Sequence, residues 1–177
     1  MVHPWHDLSY GHFPDKIEVF IEVSKNSMLK YELDKSSGIL RLDRVLYSAV
    51  HYPGDYGFIP RTLSEDGDPM DVLIISNFPV QSGVIVSARI IGILFMVDGD
   101  EKDEKIIAVH AGDPRFDRYH DMHDVAEHVR MEIIHFFETY KILQSKQVRI
   151  DEVKGVQAAK LEVTKAIKRY EDKFGKK

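Results

Sequence analysis

Residues 83–97 restrict the fold more than any other stretch of the chain. From Gly83 to Val97 the even positions are Val84, Val86, Ala88, Ile90, Gly92, Leu94 and Met96, while the polar Ser87 and Arg89 fall on odd ones. Side chains two apart on a strand share a face. One face is therefore apolar throughout, as in a long strand curving around a barrel interior, with Gly92 allowing a bend.

The rest of the chain places more strands before this one and helices after it. Lys16 to Val23 alternates as a strand. Leu29 to Leu33 and Ile39 to Leu46 form a hairpin around the turn Asp34-Lys35-Ser36-Ser37-Gly38. His51 to Pro60 reads as an aromatic loop stiffened by two prolines and two glycines. Val72 to Ser76 reads as a buried strand, and Ile106 to Val109 as the strand returning from an acidic turn at 98–105. Lys146 to Asp151 suggests a short further strand. A helix is expected over 121–143, with Val125, Val129, Ile133, Phe136, Phe137 and Tyr140 on one stripe, and a second over 155–174, burying Val156, Ala159, Val163, Ile167, Tyr170 and Phe174. Strands first and helices last indicate an α+β class. Residues 1–15, with Pro4, Gly11 and Pro14, are expected to wrap the surface as an irregular arm. His3, His6 and His12 lie in that arm at a spacing that suits no common metal site.

A chain of 177 residues is most simply one domain, and 44% apolar content supports a proper core. No apolar run approaches the ~18 residues of a membrane span. The N-terminus lacks the basic-then-apolar pattern of a secretory signal. There is no cysteine, so thiolate metal sites are excluded, and a cytoplasmic location fits. The net charge of −5 argues against a general nucleic-acid binder. An anionic ligand would then need locally gathered cations or a metal.

The chemistry centres on Asp66-Gly67-Asp68-Pro69-Met70-Asp71. Three carboxylates sit in a loop that glycine and proline keep out of regular structure, at the mouth of an apolar strand. Hard cations such as Mg²⁺ take oxygen ligands in this way, although Asp, Gly and Pro are also ordinary turn residues. Asp98 and Asp103 lie in a second acidic turn that could face this loop. Glu22 and Glu32 lie on early strands, and Lys30, Arg44, Lys105 and Lys141 are cations near element ends. Carboxylates for metals, with cations interspersed for a polyanion, suit phosphoryl transfer. Ordinary surface charge remains the competing reading. A calcium-binding EF-hand is excluded, because its fifth, sixth and twelfth positions would be Met70, Asp71 and Asn77. No P-loop and no G-x-S-x-G motif occurs.

The segment Asp66-Gly67-Asp68-Pro69-Met70-Asp71-Val72 resembles the diagnostic motif of the soluble family I inorganic pyrophosphatases. Further similarities stand in the family's order at 29–38, Asp43-Arg44, Tyr52-Pro53 with Tyr56-Gly57, Asp98, Asp103-x-Lys105 and 135–141. The resemblance spans roughly residues 16–145, and the short length is similar to prokaryotic members. It implies an OB-like, five-stranded closed β-barrel, mainly within 16–110, flanked by two helices. It also implies a homohexamer (a dimer of trimers) and Mg²⁺-dependent hydrolysis of pyrophosphate to two orthophosphates. Mn²⁺ or Zn²⁺ would substitute, and Ca²⁺ would inhibit. By the same resemblance, Asp66, Asp71 and Asp103 would ligate the tightest metals, Asp98 a metal arriving with substrate, and Glu22 with Glu32 a further metal at the rim. Asp68 would deprotonate the attacking water. Lys30, Arg44, Tyr140 and Lys141 would grip phosphoryl groups, with Tyr56 near the metal-linked waters and Lys105 beside the leaving phosphate or an acidic ligand. Some members carry a second histidine four residues after the position of His135. Thr139 stands there in this chain, at what would be a subunit contact. A binding module that uses the barrel face for nucleic acid, and a broader metal-dependent phosphatase, are the alternatives.

Overall fold

A computed structural model describes residues 2–175; Met1, Lys176 and Lys177 lie outside it. Nine strands and two α-helices are present in the described residues: β1 Ile17–Val23, β2 Leu29–Leu33, β3 Leu40–Val45, β4 Asp55–Phe58, β5 Asp71–Ile75, β6 Ile85–Asp98, β7 Glu101–Lys102, β8 Lys105–His110, α1 Glu127–Thr139, β9 Val148–Gly155 and α2 Val156–Phe174. The order β1-β4-β5-β8-β6 closes on itself, because β6 also pairs with β1. This closed ring of five strands with two helices is the expected α+β barrel architecture. The hairpin β2–β3 forms a separate two-stranded sheet outside the ring. Only part of the 16–110 segment therefore builds the barrel.

The long strand is β6, which pairs with β1, β7, β8 and β9. Its even-position rule holds only as far as Ile90. There β6 bulges against β8, so that Ile90 faces Ala108 and Gly92 faces Ile107. The extra residue, Ile91, swaps the faces. Val86, Ala88 and Ile90 join one core cluster with Ile93, whereas Ile91, Leu94 and Met96 join the other. Gly92 is required for close packing, since a Cβ there would lie 2.0 Å from the Met122 side chain.

β5 and β8 are covered on both faces, which accounts for their nearly unbroken apolar runs. One cluster gathers their even-numbered residues with Ala159, Val163 and Ala166 of α2; the other gathers the odd-numbered ones with Ile133, Phe136 and Phe137 of α1. The buried stripe of α2 is Ala159, Val163, Ala166 and Tyr170, with Phe174 41% exposed at the fraying end.

Helix α1 is shorter than the expected 121–143. At the front, Asp121 and Asp124 form a capping box that closes a separate 3₁₀ turn at Met122–Asp124, and Val125 is extended. At the back, Ser145 takes a left-handed conformation after a 3₁₀ turn at Ile142–Gln144. Residues 55–58, expected as loop, form the fully buried strand β4. The arm is not merely a surface wrap: Trp5 is 4% exposed and packs with Phe20, Leu33, Phe58, Leu63 and Tyr170. Among the described residues no helix is long and apolar enough to cross a membrane.

Candidate active site

The pairing of the strands sets the site. β5 and β8 are parallel, so Asp71 and Lys105, their first residues, meet at the same rim of the ring. β6 runs antiparallel to β8, pairs Leu94 with Lys105, and then continues past the rim to Asp98. Opposite, β1 bulges at Glu22, with Ile21 facing Gly57 and Val23 facing Tyr56. A bulge re-aims a side chain beside a site, and here Glu22 reaches the same rim. The acidic loop is built by local bonds. Asp66 Oδ1 accepts the Asp68 amide at 2.9 Å, Ser64 donates its amide to the Asp68 carbonyl at 2.7 Å, and Gly67 adopts φ +90°.

A cavity of about 270 Å³ opens there. It is lined by Glu22, Lys30, Glu32, Tyr56, Asp66, Asp68, Asp71, Asp98, Asp103, Lys105, Tyr140 and Lys141. These are the sequence-expected residues except Arg44. That residue stands opposite Lys30 in the β2–β3 register and pairs through Nη1 with Asp43, the extra residue of a bulge in β3. The reading of the sequence missed Lys35, which lines the cavity and pairs with Asp68, and also Glu101 and Lys102 on β7. Lys35 sits in a hairpin turn, where a lysine carries no periodic signal.

Cations alternate with carboxylates around the wall. Lys105 is 2% exposed and bridges Asp71 Oδ2 and Asp103 Oδ1. Burial disfavours its charge, but Asp71 and Asp103 outweigh this and hold its pKa well above the usual range. Tyr56 donates its hydroxyl to Asp71 Oδ2 at 2.6 Å. Lys141 pairs with Asp98, and Lys30 pairs with Glu32 while lying 3.9 Å from Asp43. Tyr140 is 4% exposed and stacks on Phe136, with the Lys141 ammonium over its ring at 5.1 Å.

Negative charge is in excess. Burial, then the neighbouring Asp71 and Asp103, push Asp66 up to about 6. Burial, then Asp71, push Glu22 up to about 8, although its Oε1 accepts the Leu33 amide at 2.7 Å. Crowded, partly desolvated oxygen donors with no nitrogen or sulfur among them are the donor set of a hard divalent cation. Among the described residues no three acidic or histidine side chains gather tightly enough to hold one ion as they stand. The Lys105 ammonium takes the place between Asp71 and Asp103. The donor chemistry fits a metal, and Asp71 and Asp103 both lie near enough to Asp66 to raise its pKa.

Comparison with known proteins bears on this arrangement. A family profile described as inorganic pyrophosphatase matches residues 19–171. A soluble inorganic pyrophosphatase of Zea mays is 51% identical over 152 residues, covering 84% of this chain and 70% of the relative. One from Solanum tuberosum is 52% identical over 151 residues, covering 85% and 72%. Among solved structures, the inorganic pyrophosphatase of Thermus thermophilus superposes with a TM-score of 0.92 at 45% identity, covering 96% of this chain and 99% of that one. The Helicobacter pylori enzyme gives 0.89 at 45% identity, covering 93% and 98%. The acidic loop, four of the five ring strands and most of β1, and every acidic and basic residue lining the cavity fall inside the matched span, and the chain belongs to the soluble family I inorganic pyrophosphatases.

Proposed function

We propose that this chain hydrolyses pyrophosphate to two orthophosphates by direct attack of water, with no covalent intermediate. The observation that carries the reading is the rim cavity, where an acidic loop faces buried, carboxylate-paired cations within a family of this activity. Soluble pyrophosphatases of this family depend on a metal. Mg²⁺ is the proposed ion, with Mn²⁺ or Zn²⁺ able to replace it and Ca²⁺ inhibitory.

Asp66, Asp71 and Asp103 would hold the tightest metals, Asp98 one that enters with substrate, and Glu22 and Glu32 a further one. When bound, the metal supplies Lewis-acid charge that eases loss of a proton from water and spreads the charge of the leaving phosphate. Asp68 accepts the proton of the attacking water as its oxygen bonds to one phosphorus and the bridging P–O bond breaks. Lys30, Arg44, Tyr140 and Lys141 hold the phosphoryl oxygens. Lys105 and Tyr56 orient Asp71, and Lys105 also neutralises Asp103. Positioning and charge neutralisation are most of what phosphoryl transfer requires.

Release of phosphate from pyrophosphate with Mg²⁺, against a control with EDTA, tests the reading. Fast release abolished by EDTA supports it. No release from folded protein with Mg²⁺, Mn²⁺ or Zn²⁺ rejects it, and comparable rates on nucleoside triphosphates would favour a broader phosphatase. The protein is proposed to act in the cytoplasm as a homohexamer. Thr139, at the position where some members carry a second histidine, donates its hydroxyl to the His135 carbonyl within α1 at 2.6 Å.

A further inference from the structure

The N-terminal segment His3–Asp7 ties together two walls of the cavity. On one side the His3 Nε2–H donates to the Lys35 carbonyl at 3.1 Å. Gly38 of the same turn sits so close that a Cβ there would lie 3.0 Å from the His3 ring. On the other side Trp5 Nε1 donates to the Thr62 carbonyl at 2.8 Å, and the Arg61 amide donates to the Trp5 carbonyl at 2.9 Å. Thr62 Oγ1 in turn accepts the Met70 amide at 2.9 Å, at the foot of the acidic loop. The arm is thus a strap between the turn at 34–38 and the loop at 64–71.

The turn that the strap holds is rigid in its own right. Asp34 Oδ1 accepts the amides of Ser36 and Ser37 at 3.1 and 2.9 Å, and both serine hydroxyls as well. Lys35 projects from this turn to the Asp68 carboxylate. The two side chains are 54% and 50% exposed, and an exposed pair of this kind adds little to stability. Its consequence lies in orientation: a carboxylate that must meet a water at one angle gains from a neighbour that fixes its rotamer.

We propose that Lys35, set in place by the His3–Asp7 strap, is a positioning residue that aims the Asp68 carboxylate at the attacking water. The proposal rests on the pyrophosphatase reading and on Asp68 as proton acceptor. Lys35 acts through Asp68 and leaves the grip on substrate to Lys30, Arg44 and Lys141.

Steady-state kinetics on pyrophosphate with Mg²⁺ test it, using the full chain and the variants Lys35→Ala, Lys35→Arg, His3→Ala, Asp68→Asn and Lys35→Ala/Asp68→Asn. Lys35→Ala is expected to lower kcat about tenfold with KM changed less than about twofold, the pattern of a change that slows the chemical step and leaves substrate binding intact. Lys35→Arg should recover most of the loss. His3→Ala should lower kcat a few-fold with an unchanged melting temperature. In the Asp68→Asn background Lys35→Ala should have no further effect. A normal kcat for Lys35→Ala overturns the proposal, and so does a raised KM with intact kcat, which would make Lys35 a substrate-binding cation. A normal kcat for His3→Ala beside a low one for Lys35→Ala removes the strap from it. If Asp68→Asn itself turns over normally, the proton-acceptor reading fails and takes this proposal with it. If Asp68→Asn is inactive and Lys35→Ala is normal, only this proposal falls.

Discussion

Asp121 accepts the backbone amide of Val156 at 2.9 Å, so the first turn of α2 is capped by a side chain 35 residues earlier in the chain. The residue at the cap position itself is Gly155, which has no side chain to offer. A Cβ at Gly155 would lie 2.2 Å from Asp121 Oδ2. Gly155→Ala is therefore expected to cost about 1–3 kcal/mol through overpacking, and Asp121→Ala about 1–2 kcal/mol through loss of the cap. Urea unfolding followed by circular dichroism would measure both. Phosphate release at 25 °C should be unchanged, because neither residue lines the cavity.

Tyr56→Phe removes the hydroxyl that donates to Asp71. Asp71 keeps Lys105 as a partner, so the cost in stability should be about 1.5–3 kcal/mol, that of one hydrogen bond to a charged group. The kinetic effect should exceed what that loss implies, with turnover falling roughly tenfold or more if Asp71 must be oriented. A Tyr56→Phe protein with normal turnover would remove this hydroxyl from the reaction.

Asp68→Asn tests the proton acceptor. The substitution keeps shape and removes basicity, and turnover should fall by about two to four orders of magnitude. Asp68 is half exposed, so the fold should be untouched. Mg²⁺ affinity, read by calorimetry, should largely survive. Near-normal turnover would exclude Asp68 from proton transfer.

Asp55 gives a pH dependence away from the site. It is fully buried, its Oδ1 accepts the amides of Lys25 and Val80 at 2.9 and 2.8 Å, and its Oδ2 lies 3.8 Å from His110 Nε2. Burial pushes its pKa up, but His110 and the two amides outweigh burial and hold it below the usual carboxylate range. A carboxyl with a depressed folded pKa stabilises the fold above its unfolded pKa of about 3.9, and that contribution is lost as pH falls through the folded value. Below about pH 4 the wild-type protein should lose stability more steeply than Asp55→Asn. Urea midpoints between pH 2.5 and 6 are the check, and parallel curves for the two proteins would count against the assignment.

What the sequence made legible tracks how local each signal is. The acidic loop was readable because three carboxylates, a glycine and a proline sit within six residues. β5, β8 and the stripe of α1 were readable from apolar pattern alone. β4 was not, since Asp55-Tyr56-Gly57-Phe58 has the composition of a loop. It is a strand because Gly57 lets β1 approach, where a Cβ would stand 1.9 Å from the Phe20 carbonyl oxygen. The face switch at Ile91 depends on the register against β8, a property of two segments that neither shows alone. Lys35 and Trp5 escaped for the same reason: their partners Asp68 and Thr62 lie 33 and 57 residues away.

The closure of the ring by β1 against β6 has a consequence for how the chain is made. Ile17 pairs with Ala88, so 71 residues of further synthesis separate the first strand from its partner. At translation rates of 5–20 residues per second, that interval is roughly 4–14 s. Throughout it a strand as apolar as Ile17–Val23 has at least one edge open, and both until β4 is made. Residues 101–177 follow later still, and with them β8, the last strand of the ring, and both helices that cover it. The ring therefore cannot close before Lys105–His110 has been made, and until then Ile17–Val23 is an apolar strand whose free edge invites mispairing.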